Sequence, residues 1–157
     1  MPVRAEKTEH LLRDLAIEAV HRELRPVYTV LDPKTPAPNG RGRVWDLVPR
    51  AGKENLAQAV IMRLLTPRGE LAALGHPEYG SRIHELIGRE NTGTQRNLLK
   101  LHVLEALQFE PRVAKVVELN VVPSPGTRST VDVLLRVQVA GAAELVQIGP
   151  FSIELAV

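Results

Sequence analysis

The chain has no cysteine and few aromatic residues. Five of its 157 residues carry aromatic rings, namely Tyr28, Trp45, Tyr79, Phe109 and Phe151. The absence of cysteine excludes disulfides, thiolate metal sites and cysteine nucleophiles. Five dispersed rings also make a poor stacking platform of the kind that single-strand nucleic-acid binders use. We therefore expect a domain with an aliphatic core.

Long apolar runs are missing too, and the charges nearly balance. No stretch of about 18 uncharged apolar residues occurs, and the first residues lead directly into charged ones, so we expect neither a membrane span nor a signal peptide. Lys and Arg number 20 against 18 Asp and Glu, a surplus of two. Residues 1–53 hold 10 basic and 7 acidic residues. The sequence pI of 9.2 therefore reflects a local surplus near the N-terminus.

The first 43 residues read as an appendage. Apolar residues recur every three or four positions from Glu6 to Leu24, which predicts a helix that Pro26 ends. Residues 27–31 could form a short strand, and residues 32–43 contain three prolines and two glycines. We therefore predict an N-terminal helix with a Pro/Gly-rich tether at residues 1–43, followed by a globular domain at 44–157.

Helical patterns dominate the first half of this domain. Residues 55–65 are apolar almost all round, which predicts a buried helix. A short helix is predicted from Ser81 to Ile87, with Ser81 as N-cap, and a longer one from Thr94 to Phe109. We predict that the inner face of the longer helix carries Leu99, Val103, Leu104 and Leu107.

Strand patterns follow from Val113. Val113, Val117, Leu119 and Val121 are predicted to share one face, and odd-numbered residues from Val131 to Val139 repeat the alternation after a turn at 123–126. In a third strand the inward set passes from Val146 and Ile148 to Phe151 and Ile153. This shift predicts a β-bulge at Gly149-Pro150, and the missing N–H of Pro150 favours a sheet edge.

The order of these elements predicts an α+β fold. Helices come first and are followed by an antiparallel meander of three to four strands, with the extra N-terminal helix in front. Neither a catalytic residue nor a metal site or cofactor is predicted. Glu70, Glu78 and Glu85 could supply a glycosidase pair, but we interpret them as surface carboxylates. His76, Glu78, His84 and Glu85 lack the spacing of helical zinc ligands.

Glu110-Pro111-Arg112 lies where the helical pattern changes to the strand pattern. Pro111 disfavours helix at the preceding residue, so Glu110 becomes extended. Glu110 and Arg112 then project on the same side of the strand. Such a pair could bond internally or reach a partner.

Three segments resemble one family when taken in order. They are the helix end at 64–70 (LLTPRGE), the segment 77–81 (PEYGS) and the helix-to-strand junction at 109–113 (FEPRV). Followed by a strand meander, they resemble the small baseplate wedge proteins of contractile tails. That family includes tail-lysozyme-like wedge proteins of phages, the TssE component of type VI secretion baseplates, and equivalents in extracellular contractile injection systems. The resemblance covers residues 44–155 and favours an injection system.

The resemblance implies a structural, non-enzymatic protein, present in six copies per baseplate within a hetero-oligomer. The implied partners are the sheath protein and larger wedge subunits, with inner tube or hub adaptor proteins as further contacts. It also implies assembly in the cytoplasm, followed by residence in the baseplate of a phage tail-like particle. Neither nucleic acid nor direct membrane insertion is expected.

The resemblance also assigns partner-binding residues. It implies that Glu110, Pro111 and Arg112 anchor the protein to the baseplate. The sheath would dock by adding a strand to the last strand of the meander, which predicts a second set of contact residues at Leu145, Gln147, Phe151 and Ile153.

Two other functions stay open from the sequence. A peptidoglycan-degrading, lysozyme-like tail enzyme would use carboxylates such as Glu70 or Glu78. A nucleic-acid module would use Arg41, Arg43 and Arg50, and its binding would depend steeply on salt concentration.

Overall fold

The computed structural model describes residues 11–20, 27–30, 35–36, 43–44 and 49–155. It confirms an α+β fold. The chain divides into two compact units, Met1–Gln58 and Ala59–Val157. The functional division at residue 44 stays a prediction. Among the described residues no helix has the length and apolar character needed to cross a bilayer.

The described residues of the first unit form three short antiparallel strand pairs. β1 (Arg13–Leu15) pairs with β6 (Pro49–Ala51), β2 (Ile17–Val20) with β3 (Val27–Val30), and β4 (Thr35–Pro36) with β5 (Arg43–Val44). The strand predicted at 27–31 is therefore confirmed as β3. Most of the predicted tether lies outside the described residues.

The predicted N-terminal helix is wrong within the described residues. Residues 13–15 and 17–20 are strands, and Leu12 has a φ of +63°, which a right-handed helix cannot contain. The partner strand of β1 begins at Pro49, and such a distant ladder is invisible to helical periodicity. The remainder of the predicted helix, at 6–10 and 21–24, lies outside the described residues.

The remaining elements are α1 (Gly52–Leu65), two 3₁₀ helices (Ala72–Leu74 and Ile83–Leu86), α2 (Gly93–Leu107), β7 (Val113–Pro123), β8 (Thr130–Val139) and β9 (Leu145–Glu154). The last three strands form an antiparallel sheet in the order β7-β8-β9. The short helix predicted from Ser81 begins later, at Ile83. The Ser81 Oγ accepts from the Ile83 N–H at 3.3 Å and donates to the Leu64 carbonyl at 2.6 Å.

α2 is capped by Thr92, whose side chain accepts from the Gln95 N–H at 3.2 Å. Leu99, Val103 and Leu107 are buried as predicted. The prediction for Leu104 is wrong because the buried face is centred one position away. The buried face also includes His102 and Ala106, while Leu104 remains 39% exposed.

The sheet confirms the alternation in β8, where every odd-numbered residue from Val131 to Val139 is buried. In β7 the alternation is broken by register shifts at Ala114 and Val117, and the predicted inward position of Val117 is wrong. An extra residue moves every preceding side chain to the other face of the strand.

The bulge predicted at Gly149-Pro150 is confirmed. The register passes from Val133↔Phe151 to Leu135↔Ile148, so two residues of β9 lie opposite one of β8. Gly149 has a φ of +93°, and a Cβ there would lie 2.6 Å from the Val133 carbonyl oxygen. Only glycine accommodates both the left-handed backbone and this close approach.

Candidate partner-binding surfaces

Glu110 is the centre of a buried ionic cluster at the junction between α2 and β7. Its side chain is 4% exposed and accepts two hydrogen bonds from the Arg112 guanidinium, at 2.6 Å from Nε and 3.2 Å from Nη2. The Arg112 backbone N–H adds a contact of 3.4 Å. The two side chains thus project on the same side, as predicted, and they pair with each other.

Arg63 of α1 is the third member of this cluster. Its Nη2 lies 3.4 Å from Glu110 Oε2, and its guanidinium carbon lies 4.4 Å from the centroid of the Tyr79 ring. Two guanidinium groups therefore flank one carboxylate. Arg63 Nε is buried without a hydrogen-bond partner among the described residues.

The cluster keeps Glu110 ionised. Burial by itself would raise the pKa of its carboxyl group, because a charge is costly in a desolvated site. The hydrogen bonds from Arg112 and the positive charges of Arg112 and Arg63 outweigh that effect and lower the pKa of Glu110 below its ordinary value. The carboxylate thus acts as a fixed acceptor in the fold.

This geometry separates the three motif residues. Glu110 is enclosed, whereas Pro111 is exposed and Arg112 is half-buried at the rim of the cluster. Only Pro111 and Arg112 present side-chain surface to a partner, so Glu110 can influence a partner only by holding Arg112. Their role in anchoring the protein stays a prediction.

A second charged contact lies beside the cluster. Arg68 pairs with Glu78, and its guanidinium carbon lies 5.1 Å from the centroid of the Phe109 ring. Phe109 is 41% exposed. The surface next to Pro111 therefore combines an aromatic ring with a guanidinium group.

The backbone groups at the outer edge of β9 can be assigned from the hydrogen bonds at its two ends. The Val139 N–H donates to the Glu144 carbonyl at 3.0 Å, and the Leu155 N–H donates to the Ser129 carbonyl at 2.8 Å. In an antiparallel pair, residues that exchange hydrogen bonds alternate with residues whose N–H and C=O point away. The odd-numbered residues of β8 therefore bond towards β9.

The register then identifies the outward residues of β9. Val146, Ile148, Phe151 and Ile153 lie opposite odd-numbered residues of β8 and direct their backbone groups inward. Residues of β9 that lie opposite even-numbered residues of β8 direct their N–H and C=O groups away from β8. They are Leu145, Gln147, Ser152 and Glu154. The bulge divides this outer edge into two short segments.

The outer edge of β9 is accessible. Leu145, Gln147 and Ser152 are exposed and Glu154 is half-buried. No strand among the described residues pairs with this edge. Free donors and acceptors in a row form a template for another strand.

The outer edge of β7 is less accessible. The Ala140 N–H donates to the Arg112 carbonyl at 2.8 Å, so the even-numbered residues of β8 bond towards β7. The outward residues of β7 then include Val116 and Leu119, which are half-buried, and Val121, which is buried. Two bulges also interrupt this strand.

The residues predicted for strand docking occupy different environments. Leu145 and Gln147 are exposed and outward in backbone orientation, whereas Phe151 is half-buried and Ile153 is 5% exposed. The side chain of Ile153 belongs to the core. Ser152 and Glu154, which sequence reasoning missed, carry the outward groups in that half of β9.

Carboxylates in the irregular middle of the chain are exposed, and two of them are paired. Glu78 bonds to Arg68, and Glu85 accepts from Arg82 at 2.8 and 2.9 Å. The hydrogen bond from Arg82 lowers the pKa of Glu85. No group of three or more potential metal ligands occurs within the part of the chain that the structure describes.

Comparisons with known proteins identify a related fold. No protein-family model and no curated protein matches the chain. A solved structure from Geobacter sulfurreducens, described as a "putative tail lysozyme", matches with a TM-score of 0.55 and 22% sequence identity. The match covers 66% of this chain and 90% of that chain. The two proteins share their fold.

Arg63 is a further residue that the sequence-based prediction missed. The one available signal was its position among apolar neighbours in α1, since a lone arginine in a buried helix requires a carboxylate partner. Its partner lies 47 residues away at Glu110. Local spacing could not have identified that pair.

Proposed function

We propose that the chain is a structural, non-enzymatic baseplate component of a contractile injection system or contractile phage tail. In this role it joins larger wedge subunits and provides the docking site at which sheath assembly begins. The fold shared with a protein described as a tail lysozyme supports this proposal. So does the motif resemblance at residues 64–70, 77–81 and 109–113.

The accessible outer edge of β9 is the observation that carries the proposal. A sheath segment in extended conformation would add there as a further strand, with main-chain hydrogen bonds supplying affinity. The outward backbone groups of Leu145 and Gln147 would pair with the added strand on one side of the bulge. Those of Ser152 and Glu154 would pair with it on the other side. The bulge between them would limit continuous pairing and help to fix the register.

A proline substitution tests this docking mode. Gln147→Pro removes one outward N–H, and an edge strand can tolerate proline at such a position. We expect the variant to remain folded by circular dichroism but to reduce the yield of sheathed particles at least tenfold. Gln147→Ala is the matched control, because it removes the side chain and retains the N–H.

The possible outcomes separate the two parts of the proposal. If particles lacking this chain assemble normal sheath, the proposed function fails. If the chain is required but folded Gln147→Pro supports normal assembly, docking at the outer edge of β9 is wrong. Should Gln147→Pro unfold, Leu145→Lys places a charge at the same edge without altering the backbone.

Anchoring to the wedge is tested at Arg112. Arg112→Ala should lower incorporation of the chain into baseplates, whereas Arg89→Ala, at an exposed arginine outside the cluster, should not. Incorporation is measured by quantitative mass spectrometry of purified particles. Normal incorporation of a folded Arg112→Ala protein would contradict the anchoring role.

The proposed setting is a hetero-oligomer with six copies of this chain per baseplate. It would assemble in the cytoplasm and remain in the particle, with inner tube or hub adaptor proteins as further contacts. A peptidoglycan hydrolase is the second candidate, because the related structure carries the description of a lysozyme. Clearing of a cell-wall suspension by the purified chain, lost in Glu70→Gln or Glu78→Gln, would favour that candidate.

A further inference from the structure

A groove of about 480 Å³ lies between the C-terminal half of α2 and the beginning of β7. α2 contributes Leu104, Leu107 and Gln108, and β7 contributes residues 113–116. Most lining residues are apolar, with Gln108 and Lys115 as the polar members, and polar atoms supply nearly half of the lining surface. Neither the Glu110 cluster nor the outer edge of β9 includes this groove.

Exposed leucines extend the groove along α2. Leu101 and Leu104 are three residues apart and are 49% and 39% exposed. Gln108 follows Leu104 by four residues, so the three side chains form one row on the helix surface. A row of this spacing is what a second helix packs against, with its own side chains in the adjoining groove.

The geometry of β7 favours a helix over a strand as the occupant. Register shifts at Ala114 and Val117 leave only Lys115 and Val116 between them for an added strand, whereas the single bulge of β9 leaves a longer segment on each side. Val116 and Leu119, which direct their backbone groups outward, are half-buried. A helix satisfies its own backbone hydrogen bonds and therefore does not require a free edge.

Two lysines give this surface a positive border. Lys100 lies one turn before Leu104 on α2, and Lys115 lines the groove from β7. Neither has an ion-pair partner among the residues at 49–155. The carboxylate of Glu105, also on α2, lies 3.3 Å from the His102 ring and therefore contacts a residue of its own helix.

We propose that this groove binds an amphipathic α-helix of a partner chain, with acidic residues beside its apolar stripe. The leucines would pack against apolar residues at i, i+3, i+4 and i+7 of that helix. Lys100 and Lys115 would face its acidic flank. The identity of the partner as a larger wedge subunit rests on the proposed function.

Site-specific crosslinking in assembled particles tests the inference. A photoreactive phenylalanine at position 104 should crosslink to a helical, acidic segment of another type of chain, identified by mass spectrometry. The same probe at Val122, which is exposed on the other face of the sheet, is the control and should not give that product. Crosslinks to a second copy of this chain or to an extended sheath segment would overturn the proposal.

Variants supply an independent measurement. Leu104→Asp and Lys115→Glu should each weaken binding of the captured partner subunit at least tenfold, while Lys115→Arg should bind as the unmodified protein does. Thermal unfolding temperatures should change little, because both side chains are exposed. Unchanged partner binding by Leu104→Asp would exclude this groove. Absence of the chain from particles would instead contradict the proposed function.

Discussion

Glu110 shows how a single buried residue can hold a half-buried neighbour in place. Its carboxylate is enclosed by Arg112 and Arg63, and it accepts hydrogen bonds from both. A buried ion pair contributes little net stability, but the loss of one partner leaves the other charge uncompensated. The fold therefore depends on Glu110, and the orientation of Arg112 at the surface depends on it too.

Removal of this carboxylate should destabilise the protein strongly. Glu110→Ala leaves two guanidinium groups facing each other, and we expect a loss of about 3 kcal/mol in the free energy of unfolding. Urea denaturation measures the change. Glu90→Ala, at an exposed acidic residue, should differ from the unmodified protein by less than about 0.5 kcal/mol. Equal effects of the two substitutions would contradict a structural role for Glu110.

The lowered pKa of Glu110 predicts a pH dependence. Its contribution to stability is complete above the ordinary pKa of 4.5 and is lost as the pH falls through the lower value of the folded protein. The stability difference between the unmodified protein and Glu110→Gln should therefore shrink as the pH falls below about 4.5. The pKa of Glu85 is lowered as well, but Glu85 is present in both proteins, so its contribution to stability cancels in this difference. A constant difference from pH 7 to pH 3 would refute the prediction.

At the scale of elements, α2 and β9 each have one buried side and one exposed side. α2 packs against β7 and buries Leu99, Val103 and Leu107, while Leu101 and Leu104 remain on its outer surface. β9 buries Val146, Ile148 and Ile153 but directs other backbone groups away from the sheet. One face of each element holds the fold, and the other is available to a partner.

The two leucines of α2 provide a direct test of its orientation. Leu99→Ala should lower the free energy of unfolding by about 3 kcal/mol, since the side chain is fully buried and its loss leaves a cavity. Leu101→Ala should change it by less than about 0.5 kcal/mol. Chemical denaturation of both variants gives the comparison. A larger loss for Leu101→Ala would place the wrong face of α2 in the core.

The bulge in β9 can be tested in the same way. Gly149→Ala should cost about 3 kcal/mol, because it adds a Cβ at positive φ and within 2.6 Å of the Val133 oxygen. Gly126→Ala also has a positive φ, of +81°, but nothing lies within 4 Å of the added Cβ. It should cost about 1 kcal/mol. Equal losses in thermal denaturation would show that the close approach is unimportant.

At the scale of the whole molecule, the described residues present two surfaces to a partner, the outer edge of β9 and the exposed leucine row of α2. Glu78 and Glu85 are each paired with an arginine, and the hydrogen bond from Arg82 lowers the pKa of Glu85, whereas a general acid requires a raised pKa. We expect the purified chain to clear a cell-wall suspension no faster than buffer, with an authentic lysozyme as positive control. Clearing that disappears in Glu78→Gln would show the opposite.

Much of the second unit could be predicted from local patterns. The alternation in β8 and the face shift across Gly149-Pro150 predicted the sheet and its bulge, because side chains on a strand alternate strictly. The spacing of Leu99, Val103 and Leu107 likewise identified the buried side of α2. The assignment failed at Leu104 and Val117, where packing against other elements and bulges in β7 decided exposure.

By itself, the sequence determined the α+β fold class, the meander and the Glu110-Pro111-Arg112 junction, since these depend on periodicity and on the limits that proline places on the backbone. Only the tertiary structure decided that residues 13–15 pair as a strand with residues 49–51, that Arg63 joins Glu110, and which residues of β9 point outward. Each of these depends on hydrogen bonds or ion pairs between residues far apart in the chain. Such partners are chosen when the chain packs, and local spacing does not record them.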